Sequence, residues 1–350
     1  MRDIAVVATA HSAVTSTTET PVESLVPVLN EVLANAGLQR SDVGFWCHGS
    51  CDYMIGQPFS FVQAVDALGA WPPIVESHVE MDGAWAMYEA WMKIATGECD
   101  TAVVFGNGKS SSADMFAVMA LQLDPYTDAP LGLDQVSMAG LQARVALDAG
   151  VISERGMAEV AARSRRNAMT NPHALVSGEV SVDELLAAPR LHDPLRMHDL
   201  PTPGDGVSAL VLAAGDVARS ISDRPAWIRA IDHRIDAQRL GGRNLATVAS
   251  ATEAARRCGV GDGRIDVAEI HAPFTHEELL LTAALGIDPS VTEINPSGGA
   301  LVSNVLMAAG LARVAHAAER VMHGTADRVL AHATQGPCLQ QNLVCVMEGE

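Results

Sequence analysis

One run of nineteen residues, 79–97, constrains the fold more than any other part of the chain, because it is apolar at almost every turn of a helix. Its charged pair, Glu89 and Lys93, is four residues apart in the favourable order. A helix that is apolar nearly all round is buried, and this one is too short and too interrupted to span a membrane. Asp82 can cap its start and Gly97 can end it.

Strand and helix signals alternate along the rest of the chain, which predicts an α/β fold with mostly parallel sheets. The predicted strands cover residues 4–8, 43–47, 74–79, 101–105, 204–213, 227–231, 267–270, 328–331 and 342–347. The predicted helices cover residues 21–36, 59–68, 79–97, 154–170, 245–258, 275–285 and 303–322. The two halves of the chain therefore present similar orders of elements.

An internal duplication accounts for this similarity. Residues 93–104 and 321–330 both run from a helix end through Gly and Asp into a buried strand. We predict an N-terminal half over 1–215, with an insertion over about 107–205, and a C-terminal half over 216–350. Two buried helices are expected between the sheets, with a ligand site where the halves meet.

The composition excludes several classes of function. A net charge of −19 over 350 residues argues against binding to nucleic acid or to an anionic membrane. No segment reaches 18 uninterrupted apolar residues, and no signal peptide is evident, so we expect a cytoplasmic protein. Its six cysteines lack the paired spacing of zinc ligands, and we predict reduced thiols and no metal site.

Several motifs then resemble those of one known family. They are Arg165-Arg166-Asn167-Ala168-Met169-Thr170-Asn171-Pro172-His173-Ala174, Asp193-Pro194-Leu195-Arg196, Gly204-Asp205-Gly206-Val207-Ser208-Ala209, His271-Ala272-Pro273-Phe274, Asn295-Pro296-Ser297-Gly298-Gly299 and Gln335-Gly336-Pro337-Cys338. In this order they resemble the thiolase superfamily, and within it the sterol-carrier-type, lipid-transfer-protein branch of actinobacteria. The resemblance covers the whole chain. It implies two pseudo-repeated βαβαβαββ halves in a five-layer α-β-α-β-α arrangement with an inserted loop domain.

The catalytic pattern departs from this family. In thiolases a nucleophilic cysteine stands at the N-terminus of the buried helix, where the helix dipole favours the thiolate. The matching position here is Glu80. The family's Gly-His-Pro after the glycine pair is also missing, and Asn304 follows instead. Cys338 is the remaining candidate for the second catalytic cysteine.

Four catalytic candidates follow, each with an alternative role. Glu80 is a catalytic carboxylate or a charge stabilised by the helix dipole. His271 resembles the family's oxyanion-hole or base histidine, and the alternative is a core histidine bonded to backbone. Asn304 is an oxyanion donor or a helix cap. Cys338 is a reactive thiol or a small buried apolar group.

A second set of residues is predicted to contact the substrate. The glycine pair Gly298 and Gly299 offers a backbone that a thioester or pantetheine can approach. Gly83 allows close approach at the start of the buried helix. Phe274 belongs to the His-x-x-Phe motif. We expect no covalently bound cofactor, since CoA would be part of the substrate.

The resemblance implies a protein acting on acyl-CoA thioesters, an enzyme that could require a complex for activity or a supporting subunit, with three hypotheses for its role. The first is retro-aldol cleavage of a β-hydroxyacyl-CoA side chain in steroid or lipid catabolism, which needs a base and an oxyanion hole but no nucleophile. Related aldolases use C-terminal tyrosines, whereas this chain has only Tyr53, Tyr88 and Tyr126, so another base such as His271 is required. The second is a catalytically degenerate subunit, and the third is an acyltransferase using Cys338.

The resemblance also implies partners. Thiolases pair through the sheet edge of the N-terminal half, so we expect a homodimer or a heterodimer with a paralogous thiolase-like chain. Relatives in this branch work with a small OB-fold and zinc-ribbon protein that binds acyl-CoA. The sequence itself leaves the acyl group and the partner open.

Overall fold

The computed structural model describes residues 2–55 and 58–350, which form a mixed α/β fold. Its strands are β1 (Ile4–Val14), β2 (Phe45–Gly49), β3 (Glu76–Val79), β4 (Thr101–Lys109), β5 (Arg190–His192), β6 (Leu195–Arg196), β7 (Asp205–Ala214), β8 (Ala226–Ile235), β9 (Val267–Ile270), β10 (Glu293–Ile294), β11 (Arg328–Gln335) and β12 (Gln341–Glu348). Its α-helices are α1 (Pro21–Ala36), α2 (Asp52–Ile55), α3 (Phe61–Leu68), α4 (Gly83–Ala95), α5 (Met115–Ala120), α6 (Gln135–Asp148), α7 (Glu154–Asn167), α8 (Val182–Ala187), α9 (Gly215–Ile221), α10 (Ala249–Arg257), α11 (Thr275–Ala284) and α12 (Ala309–Met322).

The strand order shows the duplication directly. Five strands of the first half run in the order β3-β2-β4-β7-β1, and five of the second half run β10-β9-β11-β12-β8. Corresponding strands have the same parallel or antiparallel partners in each half. The halves join where β1 and β8 pair antiparallel, through Ala5 opposite Trp227 and Val6 opposite Ala226. The predicted repetition of the two halves is confirmed.

Helices cover both faces of each half and create five layers. Helices α4 and α12 pack against each other and against both sets of strands in one apolar cluster. Helices α1 and α3 cover the outer face of the first half, and α10 and α11 cover that of the second. This α-β-α-β-α arrangement is the thiolase fold that the motifs predicted.

The ends of two helices follow their sequence signals. Thr20 and Glu23 form the capping box that begins α1, and Gly37 ends it with a φ of 63°. In α4 the Asp82 carboxylate accepts a hydrogen bond from the backbone N–H of Ala84, as predicted. Polar side chains therefore cap the starts of α1 and α4, and the left-handed conformation of Gly37 ends α1.

The predicted helix over 303–322 is wrong in its first part, because α12 begins only at Ala309. The preceding segment is held by long-range backbone hydrogen bonds instead. The N–H of Asn304 donates to the carbonyl of Thr202 at 2.8 Å, and the carbonyl of Met307 accepts from Gly83 at 2.8 Å. Met307 adopts a φ of 66°, which interrupts the helix. Residues 303–308 therefore form a non-helical segment ahead of the buried helix.

The chain between β4 and β7 contains α5 to α8 and the small two-stranded sheet of β5 and β6. Helix α7 ends at Asn167 and a 3-10 turn continues to Thr170, whereas the prediction extended one helix over 154–170. Within residues 2–55 and 58–350, every helix is too short or too polar to cross a lipid bilayer.

Candidate functional site

The starts of the two central helices meet at one carboxylate. Asp82 Oδ1 accepts hydrogen bonds from the backbone N–H groups of Ala84 and Leu311, and Oδ2 accepts from Gly310, each at 2.9 Å. Burial raises the pKa of Asp82 above its ordinary value, and the three hydrogen bonds oppose that rise. One side chain thus satisfies N-terminal donors of both α4 and α12.

A cavity of about 300 Å³ opens beside these helix starts. Its walls come from both halves of the duplicated fold and from the insertion. Three of the four predicted catalytic residues line it, namely Glu80, His271 and Asn304. The cavity is therefore the candidate active site, located where the sequence predicted that the halves meet.

His271 follows directly after β9 and lines this cavity. Its Nδ1 accepts a hydrogen bond from the backbone N–H of Thr334 in β11 at 3.3 Å. Burial lowers the pKa of His271 to about 3, helped by the nearby His332 and Arg313. The neutral ring then carries its proton on Nε2. Among the described residues, this buried Nε2 has no partner at ordinary hydrogen-bond distance, but the side chain of Asn304 is near enough to interact with the ring and to oppose the lowering of its pKa.

Asn304 contributes a second polar side chain to the same cavity, beside the ring of His271. Its backbone is fixed against Thr202, but its buried side-chain Oδ1 finds no partner within residues 2–55 and 58–350. An amide offers one acceptor oxygen and two donor hydrogens. Because buried polar groups are ordinarily paired, the side chains of His271 and Asn304 together indicate a place for a polar ligand atom.

Glu80 lies at the rim of the cavity and outside the helix whose start it was predicted to occupy. Nearly half of its side chain is exposed, at 47%, and its Oε1 accepts from the backbone N–H of Asp52 at 2.6 Å. His78 Nε2 lies 3.8 Å from its other oxygen. Glu80 is thus a solvent-accessible carboxylate beside the cavity, whereas Asp82 two residues later is the helix cap.

A buried ionic network supports the loop that follows β10. Arg313 Nη1 lies 3.2 Å from Glu269 Oε2 and donates to the Ser297 hydroxyl at 2.7 Å. Ser297 donates its own N–H and hydroxyl to Glu269 at 2.9 Å and 2.7 Å. Because breaking a buried charge pair is costly, these contacts hold the loop and the adjacent end of β9 in one position.

A second part of the network fixes the strand end that carries His271. Asn295 adopts a φ of 48°, and its Oδ1 accepts from the N–H of Ile270 at 2.6 Å. Its Nδ2 donates to Glu278 at 2.7 Å, and Arg163 pairs with the other oxygen of Glu278. The asparagine of the Asn-x-Ser-Gly-Gly motif therefore holds the end of β9, and with it the backbone next to His271, in a fixed position.

The structure does not bring Cys338 into the cavity, contrary to its predicted role as a reactive thiol. Its side chain is 5% exposed and its Sγ donates to the carbonyl of Met138 at 3.4 Å. Burial, with a smaller contribution from the nearby Glu277, raises the pKa of the Cys338 thiol to about 12. A neutral buried thiol is a poor nucleophile, so the alternative role of a small apolar group fits.

The predicted substrate contacts at Gly298 and Gly299 are also not found at the cavity. Both residues have positive φ angles, 94° and 73°, and both are buried. A Cβ on Gly298 would lie 3.0 Å from Ala168, and one on Gly299 would lie 2.9 Å from Asn295. The glycine pair is required for the turn and its close packing.

Gly83 and Phe274, also predicted to contact the substrate, are both closely packed. A Cβ on Gly83 would lie 3.1 Å from the Cβ of Leu311, so the glycine lets α4 and α12 approach closely. Phe274 is buried in an apolar cluster between α11 and the insertion. Neither residue lines the cavity.

The apolar walls of the cavity were missed from sequence. They are formed largely by methionines, together with amide side chains, namely Met54, Met81, Met119, Met138, Met307, Gln122, Gln135, Gln238, Gln335, Gln340 and Gln341. Methionine side chains are flexible and polarisable and adapt to irregular ligands. No single motif marked these positions, because they come from separate helices and loops.

The chain has distant sequence relatives among known proteins. No family model matches the chain. It is 25% identical over 348 aligned positions to an acetyl-CoA acetyltransferase of Methanothermobacter thermautotrophicus, with 90% of each chain covered. It is 26% identical to sterol carrier protein 2 of Bos taurus, over 45% of this chain and 34% of that protein.

A solved structure matches nearly the whole fold. The chain superposes on a chain of the "Ltp2-ChsH2(DUF35) aldolase" with a TM-score of 0.83, covering 99% of this chain and 98% of that one. The sequence identity is 18%, so this match establishes the shared fold. Together with the two relatives, it agrees with the family resemblance carried by the motifs.

Proposed function

We propose, on the premise that this chain is a thiolase-like protein of the lipid-transfer branch, that it cleaves a β-hydroxyacyl-CoA by a retro-aldol reaction. One observation carries the proposal. Two buried side chains, His271 and Asn304, line a cavity that no cysteine lines among the described residues. Cys338 is buried elsewhere, and Cys51, which packs against Met54 and Met307 of the cavity wall, is buried and has a pKa raised by that burial. Such a site can polarise a thioester carbonyl, and its described walls present no reactive thiol.

The retro-aldol reaction needs a base at the β-hydroxyl and hydrogen-bond donors at the thioester oxygen, and residues of this cavity can supply both. A base removes the proton from the β-hydroxyl, the Cα–Cβ bond breaks, and Cβ becomes a carbonyl carbon. The bonding pair moves onto the thioester as an enolate, which takes up a proton at Cα to give the shorter acyl-CoA. Hydrogen-bond donors at the enolate oxygen stabilise the transition state most.

The proposed roles follow from the protonation and hydrogen bonds of each group. His271 Nε2–H and the amide of Asn304 donate to the thioester oxygen, which assigns His271 an oxyanion role instead of a base role. Glu80 serves as the base on the β-hydroxyl, since its carboxylate is accessible at the rim. Asp82 is unsuited to that task because both of its oxygens accept backbone hydrogen bonds.

The substrate class follows from the cavity walls. Methionines contributed by α2, α5 and α6 provide an adaptable apolar surface, while the amides can bind scattered oxygen atoms. An apolar acyl group carrying a few oxygens, such as a steroid side chain, suits this lining. The CoA moiety is part of the substrate, and we propose no covalently held cofactor.

Two kinds of partner belong to the proposal. Strand β3 forms an outer edge of the sheet, and an edge strand can pair with a second copy or a paralogous chain. The name of the structurally matched aldolase also includes a DUF35 component, which supports a small OB-fold and zinc-ribbon partner that delivers the acyl-CoA. Localisation in the cytoplasm remains part of the same proposal.

A second candidate is a degenerate subunit that supports an active paralogue. The observation favouring it is that Asp82 occupies the backbone N–H of Ala84 at the start of α4, the helix that carries the nucleophile in thiolases. Substitutions in this cavity distinguish the two candidate functions, because they should abolish activity if this chain is the lyase and leave it unchanged if the paralogue is the active subunit.

The test is cleavage of a β-hydroxyacyl-CoA by the purified chain, alone and with its copurifying partner, followed by mass spectrometry of the shortened acyl-CoA and the carbonyl product. Loss of an oxyanion donor typically lowers kcat by about 10²–10³, and we expect that loss for His271→Ala and Asn304→Ala. The exposed His323 provides the matched control, His323→Ala. Full activity in the cavity variants within an active complex would favour the degenerate subunit, and no cleavage under any condition would remove the lyase proposal.

A further inference from the structure

A second cluster of titratable side chains lies between β1 and α12, away from the thioester-binding groups. Thr9 and His11 are two residues apart on β1 and share one face of the strand. His316 and Glu319 are three apart on α12 and share one face of the helix. The strand and the helix pack against each other, so these side chains meet.

The distances within the cluster are short and specific. His11 Nε2 lies 3.2 Å from Glu319 Oε1, and His316 Nδ1 lies 3.1 Å from Glu319 Oε2. One ligand atom from each of these three residues lies within 4.8 Å of the others. Ligand atoms about 2.0–2.1 Å from a tetrahedral zinc ion are separated by about 3.3 Å. The cluster thus has the composition and nearly the spacing of a His-His-Glu metal site.

Neighbouring hydroxyl groups orient the candidate ligands from outside. His11 Nδ1 lies 3.1 Å from the hydroxyl of Ser208, which leaves Nε2 directed toward Glu319. Thr9 donates its hydroxyl to Glu319 Oε1 at 2.7 Å. Metal-bound histidines and carboxylates commonly have such supporting hydrogen bonds, which fix the ring orientation and the tautomer.

A small cavity adjoins the ligands. Its volume is about 30 Å³, and its lining includes His11, His173 and His316, whereas roughly 10–15 Å³ suffices for one water molecule. The ring of His173, in the insertion, lies 5.7 Å from that of His11 between centroids. Ala309 lines both this cavity and the larger one, so the two cavities are neighbours at the start of α12.

We propose that His11, His316 and Glu319 bind one divalent transition-metal ion of the zinc class, with the fourth position directed to the cavity and His173. Imidazole and carboxylate ligands suit Zn²⁺ far better than Mg²⁺. The ion would link the first strand, the last helix and the insertion. It is assigned a structural role, because its ligands do not line the cavity of the proposed reaction.

The test measures metal content and metal binding and does not depend on the proposed activity. Chelator-treated protein is titrated with ZnCl₂ by calorimetry, dialysed, and analysed for metal by mass spectrometry, with MgCl₂ as the comparison ion. We expect one Zn²⁺ per chain, a higher Tm with Zn²⁺ than without, and no binding of Mg²⁺. Co²⁺ in the same site should give the visible absorption of a four-coordinate ion.

The variants decide which residues hold the ion. His316→Ala and Glu319→Gln should abolish the bound zinc, and His323→Ala, on the exposed end of the same helix, should retain it. Circular dichroism checks that each variant is folded, and Cys99→Ser removes the least buried thiol as a competing ligand. Wild-type protein that binds no Zn²⁺, or folded His316→Ala and Glu319→Gln proteins that bind it fully, would overturn the proposal.

Discussion

The Asp82 carboxylate caps α4 and at the same time accepts a 2.9 Å hydrogen bond from the backbone N–H of Gly310 in α12. The first residue belongs to the first half of the duplicated fold and the second residue to the other half. Gly310 also lies so close that an added Cβ would be 2.6 Å from Asp82 Oδ1. Each of these residues therefore restricts what the other can be.

Replacing Asp82 with alanine should destabilise the fold more than the loss of an ordinary helix cap. The change leaves buried N–H donors of two helices without an acceptor, so we expect the free energy of unfolding to fall by roughly 3–5 kcal/mol. Ser153→Ala, which removes an exposed cap of α7, should cost only about 1 kcal/mol. Urea denaturation measures both, and equal losses would show that Asp82 serves α4 alone.

His271 should act as a neutral donor throughout the physiological pH range. Its pKa of about 3 lies below pH 5, so the imidazole keeps the same charge as pH rises from 5 to 8. We therefore expect log(kcat/KM) for acyl-CoA cleavage to show no inflection from this residue in that range. An inflection near pH 6.5 in the wild type that disappears in His271→Gln would contradict the assigned role.

Glu277 should make the protein less stable as pH rises. Burial raises its pKa to about 8, against 4.5 for the ordinary group. Between these values the unfolded chain releases a proton that the folded chain retains, so folding stability decreases with increasing pH. The contribution is a few kcal/mol at most.

The comparison variant for this effect is Glu277→Gln. We expect the difference in unfolding free energy between wild type and variant to change steadily from about pH 5 to pH 8 and to level off above that. A difference that is independent of pH would show that Glu277 ionises normally in the folded protein.

Cys338 should resist alkylation in the folded protein. Its thiol is buried and its pKa is raised to about 12, so the thiolate fraction at pH 7.5 is negligible. Iodoacetamide followed by peptide mass spectrometry should label Cys99 before Cys338, since Cys99 is the least buried of the six cysteines. Preferential labelling of Cys338 would restore the acyltransferase hypothesis.

The duplicated fold could be predicted from the sequence because the starts and ends of its helices and strands are marked by nearby residues. Caps such as Asp82, glycines such as Gly37 and repeated buried strands are visible within short windows. Residues 303–308 were assigned wrongly to a helix because hydrogen bonds to Thr202 and Gly83, both distant in sequence, determine their conformation.

The candidate site was predictable only in part. His271, Asn304 and Glu80 stood at positions matched to a known catalytic pattern, and the structure places all three at one cavity. The His-Glu cluster was not foreseen, since His11 lies more than 300 residues from Glu319 in sequence. Only the three-residue spacing of His316 and Glu319 was visible, and such a pair is common on helices.

The origin of the cavity walls has a consequence for how substrate range can change. The proposed oxyanion donors come from the end of β9 and from the segment that precedes α12, whereas Met119 and Met138 come from helices of the insertion. Mutations in α5 and α6 can therefore reshape the acyl chamber without disturbing the strands that hold His271. Under the proposed function, preference for one acyl group over another and activation of the thioester would be separately inheritable traits.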